Sequence, residues 1–323
     1  MSNSDASASS EEEILRKKLK PDPDVEQVID AVRTHFYNGN KDVSIRLVKE
    51  LDSYDDKNLW ITVDGTNYLA KVHNGVESRD LIQYLQGEDS SNNDDDDNDA
   101  GCDCRKAAIH LQHSIMTHLN ASGISTNEPQ IPTTTTTTSR RSSSSSSSTE
   151  TPVAVVSLPV HSKEDSPTPL VLRLLGWVPG RPMSSCKTLP IETLADAGRF
   201  LGNLGTALGK LPGANRLEAA KRYHQWDGKN TADLKEFVRY VSNDKRRSMV
   251  ESVVASFSSE ILGKIASGET TYETSLIHAD FNDANFLLDE EYCVSGVIDF
   301  GDSVERYARR NQTPTRQSQH SCC

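Results

Sequence analysis

Residues 276–302 read LIHADFNDANFLLDEEYCVSGVIDFGD, and this stretch decides the fold. Two apolar runs, Phe286-Leu287-Leu288 and residues 294–300, flank the turn-forming Asp289-Glu290-Glu291, so the pattern predicts a β-hairpin. A polar loop with His278, Asp280, Asn282, Asp283 and Asn285 precedes the first run, and Asp299-Phe300-Gly301-Asp302 follows the second. A hairpin of this size brings Asp280, Asn285 and Asp299 to one end. Those residue types suit phosphoryl transfer. One carboxylate must orient the attacking hydroxyl or accept its proton. A second carboxylate and an amide oxygen must hold Mg²⁺, which prefers hard oxygen ligands, against nucleotide phosphates. On this reading Asp280 is the base, and Asn285 and Asp299 are the metal ligands. Polar loops are common by themselves; the specificity lies in joining these two motifs through one apolar hairpin.

Composition narrows the setting. A chain of 323 residues is long enough for two lobes or domains. Hydrophobic residues make up 35% and the mean hydropathy is −0.58, both low for a compact enzyme, so part of the chain is expected to lie outside any core. The net charge is −12, from 35 Lys and Arg against 47 Asp and Glu, and eight of the acids fall within residues 88–103. The acidity therefore belongs to one insert, and no broad basic patch argues for nucleic acid. That insert fails as an EF-hand: a frame from Asp95 puts Ala100 at the glycine position, and one from Asp96 puts Ala107 where the bidentate Glu belongs. The six cysteines (102, 104, 186, 293, 322 and 323) form no C-x-x-C pair and no zinc spacing, which fits a reducing compartment. The N-terminus lacks an apolar leader and no run reaches the ~18 residues that span a membrane, so the expectation is a soluble cytosolic protein.

Taken in order, residues 1–21 read as a disordered polar tail. Residues 22–177 read as a first lobe. It opens with a helix capped by Asp22, with Pro23 in its first turn and Val25, Val28, Ile29, Val32 and Phe36 at helical spacing. Strands follow at 43–51, 59–63 and 68–72, the last two joined by Asp64-Gly65, a turn signal. Further strands at 153–158 and 170–177 complete an antiparallel sheet of about five. Disordered inserts are expected near 87–106 and 125–150, the second rich in Thr and Ser. Lys71 lies amid the apolar residues of the third strand, where a charge needs a reason. The helix expected over 108–119 offers it no acid, only His110 and Gln112, and Glu77 reads as part of a loop, so its counter-ion stays unassigned.

Residues 178–302 read as a second lobe. GWVPGRPM (176–183) is a linker. Leu194, Ala197, Leu201, Leu204, Leu208 and Leu211 mark one amphipathic helix, with Gly198, Gly202, Gly205 and Gly209 in a second stripe that a close backbone approach would explain. A second helix runs from Val250 to Ile265 into the hairpin. Residues 303–323 carry no periodicity and read as an irregular tail.

H-x-D-x-x-x-x-N followed by I-D-F-G-D resembles the aminoglycoside-phosphotransferase and choline-kinase family. Within it the wording of residues 276–302 is most similar to the hydroxylysine kinases, as is S-Y-D-D-x-N at 53–58. The resemblance implies a protein-kinase-like α/β fold, with a small antiparallel-sheet lobe and a shortened, mostly helical second lobe. It implies a kinase moving the γ-phosphoryl of GTP, with ATP as the alternative donor, to 5-hydroxy-L-lysine. It also implies that Lys71 contacts the nucleotide phosphates, that the 52–58 connection lies over them, and that the linker backbone meets the base. Two departures stand out. Ala279 occupies a position where the family usually has Gly, and the helices that usually follow D-F-G-D are missing. Open alternatives are a kinase for another amino alcohol (choline, homoserine or an aminoglycoside) and a non-catalytic, truncated nucleotide-binding remnant. Trp226-Asp227 reads equally as family wording and as an exposed turn.

Overall fold

The computed structural model describes residues 13–86, 108–133, 153–162, 168–212, 220–221, 227–269 and 273–308. Helix α1 (Val25–Phe36) starts at a capping box: the Asp24 carboxylate accepts from the Gln27 N–H, and the Gln27 side chain accepts from the Asp24 N–H. The cap is therefore Asp24 and not Asp22, because only Asp24 has a glutamine three residues on; the Asp22 N–H goes to the Pro159 carbonyl instead.

Strands β1 (Ile45–Leu51), β2 (Lys57–Val63) and β3 (Thr66–Val72) form a meander. Asp64 and Gly65 join β2 to β3 with φ of 47° and 84°, the left-handed pair that matches the twist of a two-residue hairpin. Helices α2 (Gly75–Gln86) and α3 (Ala108–Ala121) follow, then β4 (Ala154–Leu158) and β5 (Thr168–Gly176). The five strands make one antiparallel sheet in the order β1-β2-β3-β5-β4. The buried stripe of α1 (Val28, Ile29, Val32, Phe36) packs against Leu59, Ile61, Val63, Ala70, Val72, Leu172 and Leu174. Each such aliphatic side chain contributes about 1.5–3 kcal/mol by leaving water.

The second lobe contains β6 (Arg181–Pro182), α4 (Ile191–Leu208), two 3₁₀ stretches (Gly228–Glu236 and Val238–Tyr240) and α5 (Asp244–Ser256). A π-helical segment (Phe257–Leu262) and α6 (Gly263–Ala266) continue α5, so the single helix read from Val250 to Ile265 is real but changes pitch on the way. Then come β7 (Glu273–Ile277), β8 (Phe286–Leu288), β9 (Val294–Val297) and β10 (Val304–Ala308). β6, β8 and β9 form a three-stranded sheet, and β7 pairs with β10. A second core joins the lobes: Leu111, Ile115, Met116 and Leu119 of α3 meet Leu204, Leu208, Leu276, Val297 and Phe300.

Several sequence expectations change. Of the polar tail over 1–21, residues 13–18 are helical and Pro21 bridges Val160, because Arg16 and Lys20 find partners on the first lobe. Residues 125–133 are no loose insert: Gly176 N–H donates to Glu128 O at 2.7 Å and Gln130 N–H to Leu174 O at 2.8 Å, extending the edge of β5. Glu77 sits in α2, not in a loop. The tail after Asp302 is a strand through residue 308, paired from Val304↔Ile277 to Ala308↔Glu273. Among the described residues, a Cβ on Gly198, Gly202 or Gly205 would meet nothing within 4 Å, so no close approach explains that part of the glycine stripe; only Gly209, just past the end of α4, has Ser275 Oγ of β7 3.5 Å from where its Cβ would lie. The insert expected near 87–106 lies outside the described residues, as does most of the second one. Among the described residues no helix is long and apolar enough to cross a membrane.

Candidate active site

The loop between β7 and β8 is built on His278, which is 3% exposed. Its Nε2 lies 3.0 Å from the Ile298 carbonyl and its Nδ1 3.3 Å from the Asp280 backbone nitrogen. Only the Nε2–H tautomer serves both, donating to Ile298 and accepting from Asp280. Burial lowers the His278 pKa below 6.5, while the Ile298 carbonyl and the charges of Asp299, Asp280 and Asp302 pull the other way without restoring it. Ala279 takes φ +65°, a left-handed conformation that costs an alanine about 1–2 kcal/mol and a glycine almost nothing.

Asp280 is held by two amides. Asn282 Nδ2 donates to Oδ1 at 2.8 Å and Asn285 Nδ2 to Oδ2 at 2.7 Å; the latter also reaches the Asp280 carbonyl at 2.9 Å. Asn285 thus turns its amide nitrogen toward Asp280, which leaves its amide oxygen as the atom to face a cation. The Asn285 carbonyl accepts from Ile298 N–H at 2.8 Å, placing Asp299 beside this cluster. Here β9 departs from its predicted length. It stops at Val297, and Asp299 is exposed with φ +62°, a conformation Asp tolerates, its Oδ1 accepting from Gly301 N–H at 3.3 Å. The exposed Asp299 carboxylate and the Asn285 amide oxygen are hard donors of the kind Mg²⁺ takes.

The hairpin is pinned from three sides. From α4, Thr193 Oγ1 donates to Tyr292 O at 3.0 Å and Asp196 Oδ2 accepts from Val294 N–H at 2.8 Å. From the linker, Pro179 O accepts from Ser295 Oγ at 3.0 Å, and Gly180 (φ +128°) comes so close that a Cβ would lie 2.5 Å from Ser295 Oγ. From the first lobe, Ser125 O accepts from Val297 N–H at 3.1 Å. At the head of the linker Trp177 stacks on Trp60 of β2, ring centroids 4.2 Å apart.

Across the cleft, Lys71 Nζ lies 2.8 Å from Asp56 Oδ2. Burial opposes the lysine charge, but Asp56, then Asp299 and Glu77, more than offset it and raise the pKa above its ordinary value. Lys71 and Arg173 are opposed in the β3–β5 register, so two cations stand side by side on one face of the sheet. Arg173 is 1% exposed; its Nη1 donates to Gln112 Oε1 at 2.9 Å, while Nε and Nη2 have no partner among the described residues. Burial pushes its pKa down to about 10 against the pull of Asp56, Glu77 and Asp299, and it stays charged at neutral pH. Glu77 pairs with Arg16 at 3.3 Å and accepts from His73 Nδ1 at 3.3 Å. Asp56, His73 and Glu77 could offer three ligand atoms to a metal, but Lys71 and Arg16 already occupy those carboxylates. Sequence reasoning missed Asp56 and Arg173. The signal for Asp56 was the Asp55-Asp56 pair in the connection already suspected of facing phosphates; Arg173 was lost inside an apolar strand run.

Asp227 is buried at 8% exposure: it caps the first 3₁₀ stretch and pairs with Arg306 Nε at 2.7 Å, so it is no exposed turn.

A five-stranded antiparallel lobe with a strand lysine, a short linker and an H-x-D-x-x-x-x-N hairpin ending in D-F-G-D together define the protein-kinase-like class. Within that class the chain belongs to the phosphotransferase enzyme family, whose model matches residues 55–305. It is 22% identical over 280 residues to the hydroxylysine kinase of Xenopus laevis, covering 80% of this chain and 61% of that protein. It is 27% identical over 145 residues to the hydroxylysine kinase of Mus musculus, covering 42% and 37%. The chain therefore spans less than two thirds of the length of these curated relatives. Similar solved structures include the GDP complex of aminoglycoside 2'-phosphotransferase-IIIa (TM-score 0.48, 15% identity, 87% of this chain and 74% of that chain). Another is the microcompartment-associated aminopropanol kinase (TM-score 0.47, 16% identity, 87% and 70%).

Proposed function

We propose that this chain transfers the γ-phosphoryl of a nucleoside triphosphate, GTP foremost and ATP as the alternative, to the hydroxyl of 5-hydroxy-L-lysine. The observation that carries the reading is the clamped Asp280, with Asn282 and Asn285 on its two oxygens at 2.8 and 2.7 Å. Asp280 orients the acceptor hydroxyl and takes its proton. The hydroxyl oxygen forms the new bond to the γ-phosphorus as the bond to the β-bridging oxygen breaks and the diphosphate leaves. Lys71 binds the phosphates. Asn285 and Asp299 would hold Mg²⁺, which when bound neutralises charge on the transferring group. Low-identity likeness to hydroxylysine kinases supports the acceptor and the family supports the reaction type. A kinase of another amino alcohol, such as choline, homoserine or an aminoglycoside, uses the same residues.

The test is transfer from Mg·GTP and Mg·ATP to 5-hydroxy-L-lysine and a panel of amino alcohols. Asp280→Asn keeps the shape and loses the base, so turnover drops about 10²–10⁴-fold. The nucleotide-induced rise in melting temperature stays. Loss of that rise in the variant would reassign Asp280 to nucleotide binding. A wild-type chain that binds nucleotide and phosphorylates nothing would be a binding protein.

A further inference from the structure

We infer that Asp56, in the loop between β1 and β2, is the positioning residue that holds Lys71 for the nucleotide phosphates, a task for which no helix carboxylate among the described residues bonds the lysine. The inference deepens the phosphotransfer reading and rests on it.

The two helices nearest the lysine in sequence, α2 against β5 and α3 after it, bond their polar groups elsewhere. Glu77 of α2 spends its oxygens on Arg16 and His73, and Gln112 of α3 accepts from Arg173. Asp56 reaches Lys71 Nζ at 2.8 Å with Oδ2, while its Oδ1 accepts from Asn74 N–H at 2.9 Å. Asn74 lies just beyond the end of β3, so the carboxylate is fixed to the strand that carries the lysine. Asp56 is 8% exposed, and an uncompensated ammonium at this half-buried place would be unfavourable. An ammonium has three donors; Asp56 takes one and leaves two for phosphate oxygens. Asp299 and Glu77 add further negative charge in the surroundings of the lysine.

The loop that carries Asp56 is itself braced. Lys20 Nζ donates to the carbonyls of Ser53 and Tyr54 at 3.0 and 2.9 Å. Arg16 pairs with Asp55, Asn74 Nδ2 donates to Asp55 O at 3.2 Å, and Ser53 Oγ accepts from Asp56 N–H at 3.2 Å. A connection without glycine can therefore sit over the phosphates in one shape, and that shape also sets the lysine. The loop is thus tied to the strand that carries the lysine, and Arg16 and Lys20 brace it from outside.

The experiment measures kinetics with Mg·GTP and Mg·ATP, and melting temperature, on the full 323-residue chain and on Asp56→Asn, Asp56→Glu, Lys71→Met, Asp56→Asn/Lys71→Met and Glu77→Gln. Expected for Asp56→Asn is a fall in kcat/KM for nucleotide of about 10- to 100-fold, the size seen on removing an orienting partner. KM for the acceptor stays within about twofold, because the acceptor never meets Asp56. The double variant is no worse than Lys71→Met alone, since the two act through one contact. Asp56→Glu keeps the charge and shifts the carboxylate by one methylene; it falls in the same direction but less, and it replaces Asp56→Asn should that variant not fold. Wild-type nucleotide kinetics in the Asp56 variants, or a loss carried by Glu77→Gln instead, overturns the inference and leaves the phosphotransfer reading standing. A wild-type chain with neither transfer nor a nucleotide-induced melting shift overturns that reading, and the inference with it.

Discussion

At the scale of single residues, His278 couples the loop between β7 and β8 to pH. Neutral imidazole accepts from the Asp280 N–H; imidazolium cannot, because both its nitrogens are donors. The folded pKa lies below 6.5, so the stability His278 contributes is complete above pH 6.5 and drains as pH falls through the folded value. Turnover and melting temperature should both decline below about pH 6.5 with a shared inflection. His278→Phe keeps a ring against Phe300 but abolishes that inflection, and it costs about 1–3 kcal/mol by stranding the Asp280 N–H and the Ile298 carbonyl. A pH series of melting curves on both chains checks this; an unchanged inflection in His278→Phe would assign it to another group. Local spacing and one odd charge in a strand single out Asp280, Asn285, Asp299 and Lys71 in the sequence as candidates. Asp56 carries only a weak sequence signal and Arg173 none, because what sets them beside Lys71 is a register, Lys71 opposite Arg173, and a loop folded back on the strand.

At the scale of elements, α4 shows what periodicity does and does not encode. Steps of three and four identified the helix, yet only Ala197, Leu204 and Leu208 of that stripe are buried in it, while Leu194 and Leu201 are 52% and 46% exposed. The pattern fixes the period; the neighbours decide which part of the stripe is covered. Gly198 and Gly205 lie in the helix interior with open space where a Cβ would go. Each gives up about 1 kcal/mol relative to alanine for no packing gain within the described residues. Gly198→Ala and Gly205→Ala should therefore each stabilise the chain by that order, and together nearly additively, in chemical denaturation. Destabilisation by either would mean that something outside the described residues approaches that face. β10 escaped the sequence reading for a different reason. VERYA has too little apolar alternation to stand out, and its strand character comes from its backbone pairing with β7.

At the scale of the molecule, the two lobes were readable because each has its own apolar pattern, whereas the ties between distant segments are backbone bonds and single polar contacts that leave no pattern. Ser125 O to Val297 N–H links the first lobe to the hairpin, and Arg16 links residues 13–18 both to Asp55 in the loop and to Glu77 on α2. Glu77 makes the second tie titratable. Burial alone would raise its pKa, but the hydrogen bond and charge of His73, then Arg16 and Lys71, hold it below its ordinary 4.5. A carboxylate with a depressed folded pKa contributes stability that is present above its unfolded value and is lost as pH falls toward the folded one. The chain should therefore lose stability progressively below about pH 4.5 as Glu77 protonates and lets go of Arg16 and His73. Glu77→Gln starts lower at neutral pH, since it lacks the charge that pairs with Arg16, and then declines less steeply, so the two chains converge in acid. Denaturant midpoints at several pH values between about 6 and 3 decide it. Parallel slopes would mean that the acid sensitivity arises elsewhere and that Arg16 is held mainly by Asp55.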